Sequence, residues 1–292
     1  MNIRVAGAPI SWGVCEVPGW GYQLAPQRVL ADMRDIGLTA TESGPDGFLP
    51  TAPDSLTALL DDYGLSCAGT FAPVLLHEAA HDPVPDVAAR LDMLACCGAG
   101  VLVLAAATGA DGYDSRPVLD EHQWSTLLVN LDRVAEAAGQ RGIRAVLHPH
   151  VGTVVETLAD VERVLTGASI PLCLDTGHLL IGGTDPLQLA RDAPDRIAHA
   201  HLKDVDAAVA ERVRAGELSY AAAVGAGMYA PLGGGDIDIA GIVSTLRDNG
   251  FDGWFVLEQD TILDGEPADE GPARDVRASM AYLRDALGGV PA

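Results

Sequence analysis

Short runs of apolar and β-branched residues alternate along the chain with longer segments whose apolar positions recur every three or four residues. The short runs lie near residues 3–9 (IRVAGAP), 38–43 (LTATES), 65–71 (LSCAGTF) and 100–106 (GVLVLAA), then 143–148 (IRAVLH), 171–175 (PLCLD), 197–202 (IAHAHL) and 254–258 (WFVLE). They are apolar on both faces instead of alternating, which predicts parallel strands covered on each side by helices. The intervening segments, among them PQRVLADMRDIG, SLTALLDDYG, VAARLDMLACCG and WSTLLVNLDRVAEAAGQRG, read as those helices. Gly37, Gly64, Gly98, Gly142 and Gly250 stand where a periodic segment stops, the place for a left-handed cap.

Eight strand–helix units in 292 residues give about 36 residues apiece, the size of one βα repeat. That pitch predicts an α/β protein of one domain spanning 1–292, its sheet closed as a (β/α)8 TIM barrel. The alternative is an open doubly wound sheet, but no G-x-G-x-x-G follows the first strand. Between strand seven and its returning helix lies an insertion, 205–235, read as one helix (DAAVAERVRAGELSYAAAVG) and a turn (PLGGGD). Long loops after barrel strands overhang the mouth, so this one is a candidate lid.

Composition narrows the partners. Forty-one acidic against 18 basic residues give a net charge of −23, a field that opposes nucleic acid and anionic membrane surfaces. Five cysteines (Cys15, Cys67, Cys96, Cys97, Cys173) are an odd number at no metal-ligand spacing, so reduced thiols are expected. No apolar run reaches the length of a membrane span, and no signal peptide is legible at the start. The expectation is a soluble cytoplasmic protein.

Active sites of such barrels lie at the C-terminal ends of the strands. Strand five ends in His148-Pro149-His150, strand six in Asp175-Thr176-Gly177-His178, strand seven in His199-Ala200-His201-Leu202-Lys203-Asp204, and strand eight in Glu258-Gln259-Asp260. A lone histidine beside a strand is usually a core or rim residue. Here five of the eight histidines fall between 148 and 201, and imidazoles with carboxylates on neighbouring strands form a ligand set for Mn²⁺, Zn²⁺, Fe²⁺ or Co²⁺. His199 and His201 share one strand face, as do His148 and His150, and spacing leaves open which of each pair ligates. Lys203 is the sole lysine among 18 basic residues, which points to a role arginine cannot fill, such as a compact ammonium able to lose its proton.

Weaker signals surround these. Glu42 ends strand two and either reaches the pocket or pairs on the rim. Trp12 either walls the site or packs, and His77 with Glu78 faces the pocket or the rim. The segment 231–236 reads as a turn and not a phosphate cradle, having no adjacent Lys or following Ser/Thr. His81, His122 and the cysteines read as structural, and no nucleophile elbow is present.

The series His-x-His-x-Gly-Thr, Asp-Thr-Gly-His, His-x-His-Leu-Lys-Asp, Gly-x-Gly-x-Ile-Asp and Gly-Trp-x-x-x-Glu resembles the xylose-isomerase-like TIM barrels, which include sugar epimerases, ketose isomerases and endonuclease IV. Within that superfamily the chain is most similar to the inosose dehydratase (2-keto-myo-inositol dehydratase) family. HPHVGTVVET, LCLDTGHLL, RIAHAHLKDVDAAVAERVRAGELSY, APISWG and FDGWFVLEQD carry the likeness, which runs from residue 6 to about 262 and is densest over 143–260. The region 72–120 matches poorly. Strand five ends in His148 where the epimerases have a glutamate. His148-Pro149-His150 replaces a His-His-His run, and one glutamate precedes Gln-Asp where that family has two.

The resemblance implies a divalent metal, Mn²⁺ foremost and otherwise Co²⁺, Zn²⁺ or Fe²⁺, held by Asp175, His201 and Glu258 with His148 as fourth ligand. It implies a metal-dependent hydro-lyase of carbohydrate or inositol catabolism that dehydrates a keto-cyclitol or keto-sugar through an enediolate. Glu258, His150, His178 and Lys203 are the acid–base candidates, with base and acid unassigned; Trp12, Glu42, His77 and His199 are the substrate-contact candidates. A ketose or inosose epimerase or isomerase is the first alternative and a non-catalytic sugar-binding barrel the second. His148 in place of a second carboxylate favours the lyase. The expected partner is a small-molecule substrate, with self-assembly left open.

Overall fold

Eight short stretches pair side by side in parallel until the last meets the first. The computed structural model describes residues 3–110 and 112–288. The strands are β1 (Arg4–Gly7), β2 (Ala40–Glu42), β3 (Ser66–Val74), β4 (Val101–Ala106), β5 (Arg144–Leu147), β6 (Leu172–Asp175), β7 (Ile197–Leu202), β8 (Asp204–Val205), β9 (Tyr229–Ala230) and β10 (Trp254–Leu257). The barrel closes in the order β1-β10-β7-β6-β5-β4-β3-β2, while β8 and β9 form a separate two-stranded ribbon. All eight barrel strands fall on the runs expected of them, and the TIM-barrel reading holds. Among the described residues no helix is long and apolar enough to cross a membrane.

Each strand buries both faces, but against different partners. Leu102, Leu104, Leu147 and Leu174 point outward and join Leu91, Leu127 and Val164 of the surrounding helices in the main core. Val101, Val103, Val146 and Cys173 point inward and plug the barrel, as do Ala6, Ala40 and Val256 on the opposite side. Side chains on one face recur every second residue. His148, Asp175 and Glu258 each stand two positions beyond an inward residue (Val146, Cys173, Val256), so the apolar plug is followed at the mouth by a polar layer. The five expected helix-capping glycines all take left-handed φ values, between 67° and 89°.

The insertion departs from the single helix expected. It folds as two short helices, Ala207–Arg214 and Tyr220–Gly225. Gly216 at φ 71° stands between them, and the Ser219 side chain accepts the Ala222 N–H to start the second. The insertion returns through the β8–β9 ribbon, which pairs Asp204 with Ala230 and Val205 with Tyr229. Two-residue strands carry no periodicity to read. The Gly-rich turn at 231–236 does gather amide groups, and its anion is the chain's own: the Asp204 carboxylate accepts N–H bonds from Val205, Gly233, Gly235 and Ile237 at 2.8–3.0 Å.

Asp204 is 1% exposed, so its removal leaves those amides without a partner they can readily replace. We expect Asp204→Ala to lose about 3 kcal/mol, a fall of roughly 5–10 °C in melting temperature, with Asp204→Asn in between. Calorimetry checks this; a variant melting within a degree of wild type would show that the turn holds itself.

Candidate active site

The polar layer is assembled by strand ends and by one helix start. Asp175 closes β6 and caps the helix Thr176–Ile181: its Oδ1 accepts the His178 N–H at 2.8 Å. That leaves Oδ2 for the barrel mouth, 3.1 Å from His148 Nε2, 3.6 Å from His201 Nδ1 and 3.5 Å from Lys203 Nζ. From the neighbouring strand ends come His201 and Glu258, with His201 Nδ1 2.5 Å from Glu258 Oε2. Those last two atoms are buried and share no hydrogen bond with each other or any other group. Asp175, His201 and Glu258 each turn a donor atom into one space less than 4.8 Å across.

Electrostatics points the same way. The carboxylates of Asp175, Glu258 and Asp260 gather around one ammonium, Lys203, while Glu42 faces His199 and His201. Burial favours a neutral His201, but the Cys173, Glu258 and Glu42 charges outweigh it and hold its pKa well above the usual value. The site thus holds a positive charge at this ring, and a divalent cation on the mixed imidazole–carboxylate set would supply that charge in place of the proton. The residues present therefore fit a metal ion. Burial raises the Glu258 carboxyl above the usual range despite the His201 and Lys203 charges beside it. Burial pushes the His148 imidazole down to about 3, so the ring is neutral and has a lone pair to offer.

Lys203 does not behave as a lysine poised to lose its proton. Burial favours the neutral amine, but Asp175, Asp260 and Glu258 outweigh it and hold the pKa well above the usual value. The ammonium lies 2.5 Å from Asp260 Oδ1 and 3.2 Å from His178 Nε2, and 5.5 Å from the centre of the Tyr229 ring. Asp260 Oδ2 accepts the Tyr220 hydroxyl at 2.5 Å, and Tyr220 bonds Tyr229 at 2.8 Å. The insertion is thereby docked onto Lys203. Gly177 of the Asp-Thr-Gly-His motif makes room, since a Cβ there would stand 2.9 Å from both Lys203 Cβ and the Tyr229 ring.

Above this floor lies a cavity open at the barrel mouth. His150, His201, Lys203 and Glu258 face it from below, and Cys15, Glu16, Trp20, Phe71 and Tyr113 wall it. The His150 ring is sandwiched between Tyr113 at 4.6 Å and His178 at 3.7 Å between centroids. The Tyr113 hydroxyl donates to the Glu16 carboxylate across the mouth, and Asp114 accepts the Tyr220 N–H. His178 sits behind His150 and off the cavity surface, with burial driving its ring neutral.

Three of the four substrate-contact candidates lie elsewhere than expected. Trp12 is tucked by the turn Pro9–Trp12 into the layer between barrel and helices, where its indole N–H donates to Asp32 at 3.2 Å. Trp20, eight residues later in the same loop, takes the wall position instead. His77 is buried outside the cavity with Nε2 3.5 Å from Glu78, itself half exposed on the rim. The cause is that β3 runs on to Val74, carrying the next loop outward to helix Glu121–Gly139, whose Asn130 side chain donates to the Leu76 carbonyl. His199 lies beneath the cavity and bonds Glu42, which alone of the four borders the cavity. Sequence reasoning missed Glu16, Trp20, Phe71, Tyr113, Tyr220 and Tyr229, and treated Cys15 as structural. Cys15, Glu16, Trp20 and Tyr113 lie in loops, where no periodicity marks a direction.

A closed parallel barrel with imidazoles and carboxylates converging at its C-terminal mouth defines a TIM-barrel enzyme able to hold a divalent cation. The chain belongs to the xylose isomerase-like TIM barrel family, whose model matches residues 30–286. It is 32% identical to an inosose dehydratase of Geobacillus kaustophilus (strain HTA426), over 96% of this chain and 93% of that protein. Solved structures of similar fold include L-ribulose 3-epimerase (TM-score 0.70, 18% identity, 99% of this chain and 95% of that one). Another is the IOLI protein with a bound zinc atom (TM-score 0.67, 14% identity, 98% and 99%).

Gly152, in the His-x-His-x-Gly-Thr motif, adopts φ 73°, and a Cβ there would lie 2.3 Å from the Tyr113 backbone. Gly152→Ala must therefore displace the loop that closes the mouth, at about 1–2 kcal/mol of stability. The expected result is faster amide hydrogen exchange over 112–119 than in wild type. Unchanged exchange there would show that the loop is held without this contact.

Proposed function

We propose that this chain is a metal-dependent carbon–oxygen lyase that dehydrates an uncharged keto-cyclitol or keto-sugar. The observation that carries the reading is the convergence of His201 Nδ1 and Glu258 Oε2, both buried and unbonded, beside Asp175 Oδ2 at the floor of the mouth cavity. The likeness to inosose dehydratases over nearly the whole chain supports the substrate class. Among the described residues no arginine borders the cavity and its one lysine is already engaged by Asp260, so these residues do not invite a phosphate or carboxylate. Five unpaired cysteines suit the cytoplasm, where we place the enzyme.

Asp175, His201 and Glu258 would hold the ion, with His148 as the fourth ligand and Mn²⁺ the ion we assign to this nitrogen–oxygen set. Bound there, a divalent cation supplies Lewis-acid polarisation of the substrate carbonyl, which acidifies the adjacent C–H. His150 is the base. Its Nδ1 lies 2.7 Å from the Val151 carbonyl oxygen, an acceptor only, so Nδ1 carries the hydrogen and Nε2 the lone pair. Burial and then the Lys203 charge lower its pKa, keeping the ring neutral. The α C–H bond breaks with its proton passing to His150, and its electrons form the carbon–carbon double bond. The neighbouring C–OH bond then breaks as the proton carried by His150 passes to the departing hydroxide, releasing water, while the Lys203 ammonium, held charged by its carboxylates, hydrogen-bonds that oxygen. Tyr113 and the insertion exclude bulk water from this exchange.

Two measurements test the reading. Incubating inososes and ketoses with the Mn²⁺-loaded enzyme in D₂O should give deuterium uptake, loss of water and a diketone-type absorbance. Uptake with inverted configuration and no water loss would make it an epimerase, and no exchange at all a binding module. Lys203→Arg and Lys203→Met should both lower turnover on the order of a hundredfold while metal content stays at the wild-type level. Near-normal turnover in Lys203→Arg would remove the lysine from the mechanism.

A further inference from the structure

Glu42 reaches the site from the far side of a bulge. The β2–β3 register slips between Thr41, opposite Cys67, and Glu42, opposite Gly69, and such a slip re-aims the side chain that follows it. Gly69 admits no side chain, since a Cβ there would stand 2.8 Å from the Val101 carbonyl oxygen. The Glu42 carboxylate, 4% exposed, thus points into the barrel toward β7, with β1 and β10 between their strands. One of its oxygens, Oε1, lies 2.9 Å from His199 Nε2 and 3.1 Å from His201 Nε2.

A carboxylate oxygen only accepts, so both Nε2 atoms carry hydrogen in these bonds. In a neutral His201 the lone pair is then on Nδ1, and Nδ1 is the atom turned toward Glu258 and Asp175 with no hydrogen-bond partner of its own. We infer that Glu42 is a positioning residue that locks His201 in the Nε2–H tautomer and presents its Nδ1 lone pair to the metal ion, rather than a residue that binds substrate. An anionic acceptor behind a ligating imidazole fixes the ring and makes the ligand more basic. His199 steadies the lever from the other side by sharing the same oxygen. This role rests on the metal-dependent reading above.

The test uses metal affinity and tautomer, neither of which needs substrate. Co²⁺ binding is measured by competition with a chelator in wild type, Glu42→Gln and Glu42→Ala, alongside ¹⁵N imidazole shifts of the Zn²⁺-loaded proteins, in which the ligating ring has given up one hydrogen. Glu42→Ala should weaken Co²⁺ binding about 10- to 100-fold and mix the His201 tautomers. Glu42→Gln, which keeps an acceptor oxygen but no charge, should keep the tautomer, melt near wild type and weaken binding less. If wild type binds Co²⁺ and both variants bind it equally well, or if the tautomer is unchanged in Glu42→Ala, the role assigned to Glu42 is overturned while metal dependence stands. If wild type takes up no Co²⁺, metal dependence itself falls and this role with it.

Discussion

The Asp175 carboxylate ties more of this structure together than any other group. One oxygen starts a helix and the other faces His148, His201 and Lys203, so backbone geometry and site chemistry share a single buried side chain. Burial alone would neutralise it; the Lys203 charge and its hydrogen bonds keep it ionised, with a pKa well below the usual carboxylate range. Every other buried polar group at the mouth inherits that constraint. An uncompensated charge in a low-dielectric interior is expensive, so the polar layer is stable only as a complete set.

Lys203 and the insertion answer that constraint from the other side. Its ammonium offsets Asp175 and Asp260, and Asp260 in turn holds Tyr220, so the segment that covers the site is anchored to the charge it covers. Arginine would bring a wide planar fork into a space that already excludes a methyl group at Gly177. The base of the insertion is secured separately, by Asp204 in the Gly-rich turn. The adjacent residues of the His-Leu-Lys-Asp motif thus do different work: Lys203 faces the chemistry, and Asp204 holds the wall that shields it.

Much of the architecture was legible along the chain because its causes are local. Strand runs, helix periodicity and glycine caps depend on neighbours a few residues away, and all eight barrel strands lie where those patterns put them. Period-two alternation likewise determined that His148, Asp175, His201 and Glu258 face inward at the ends of their strands. What only the tertiary structure decided is which atoms meet. Glu42 and His201 are 159 positions apart, and their contact depends on barrel closure and a register slip that no pattern announces. Trp12 and Trp20 share one loop, and the turn at Pro9–Trp12, not residue type, sends the first into the core and leaves the second to wall the cavity. A one-dimensional pattern records the direction of a side chain relative to its own strand; its partners follow from how eight strands close and where the loops between them land.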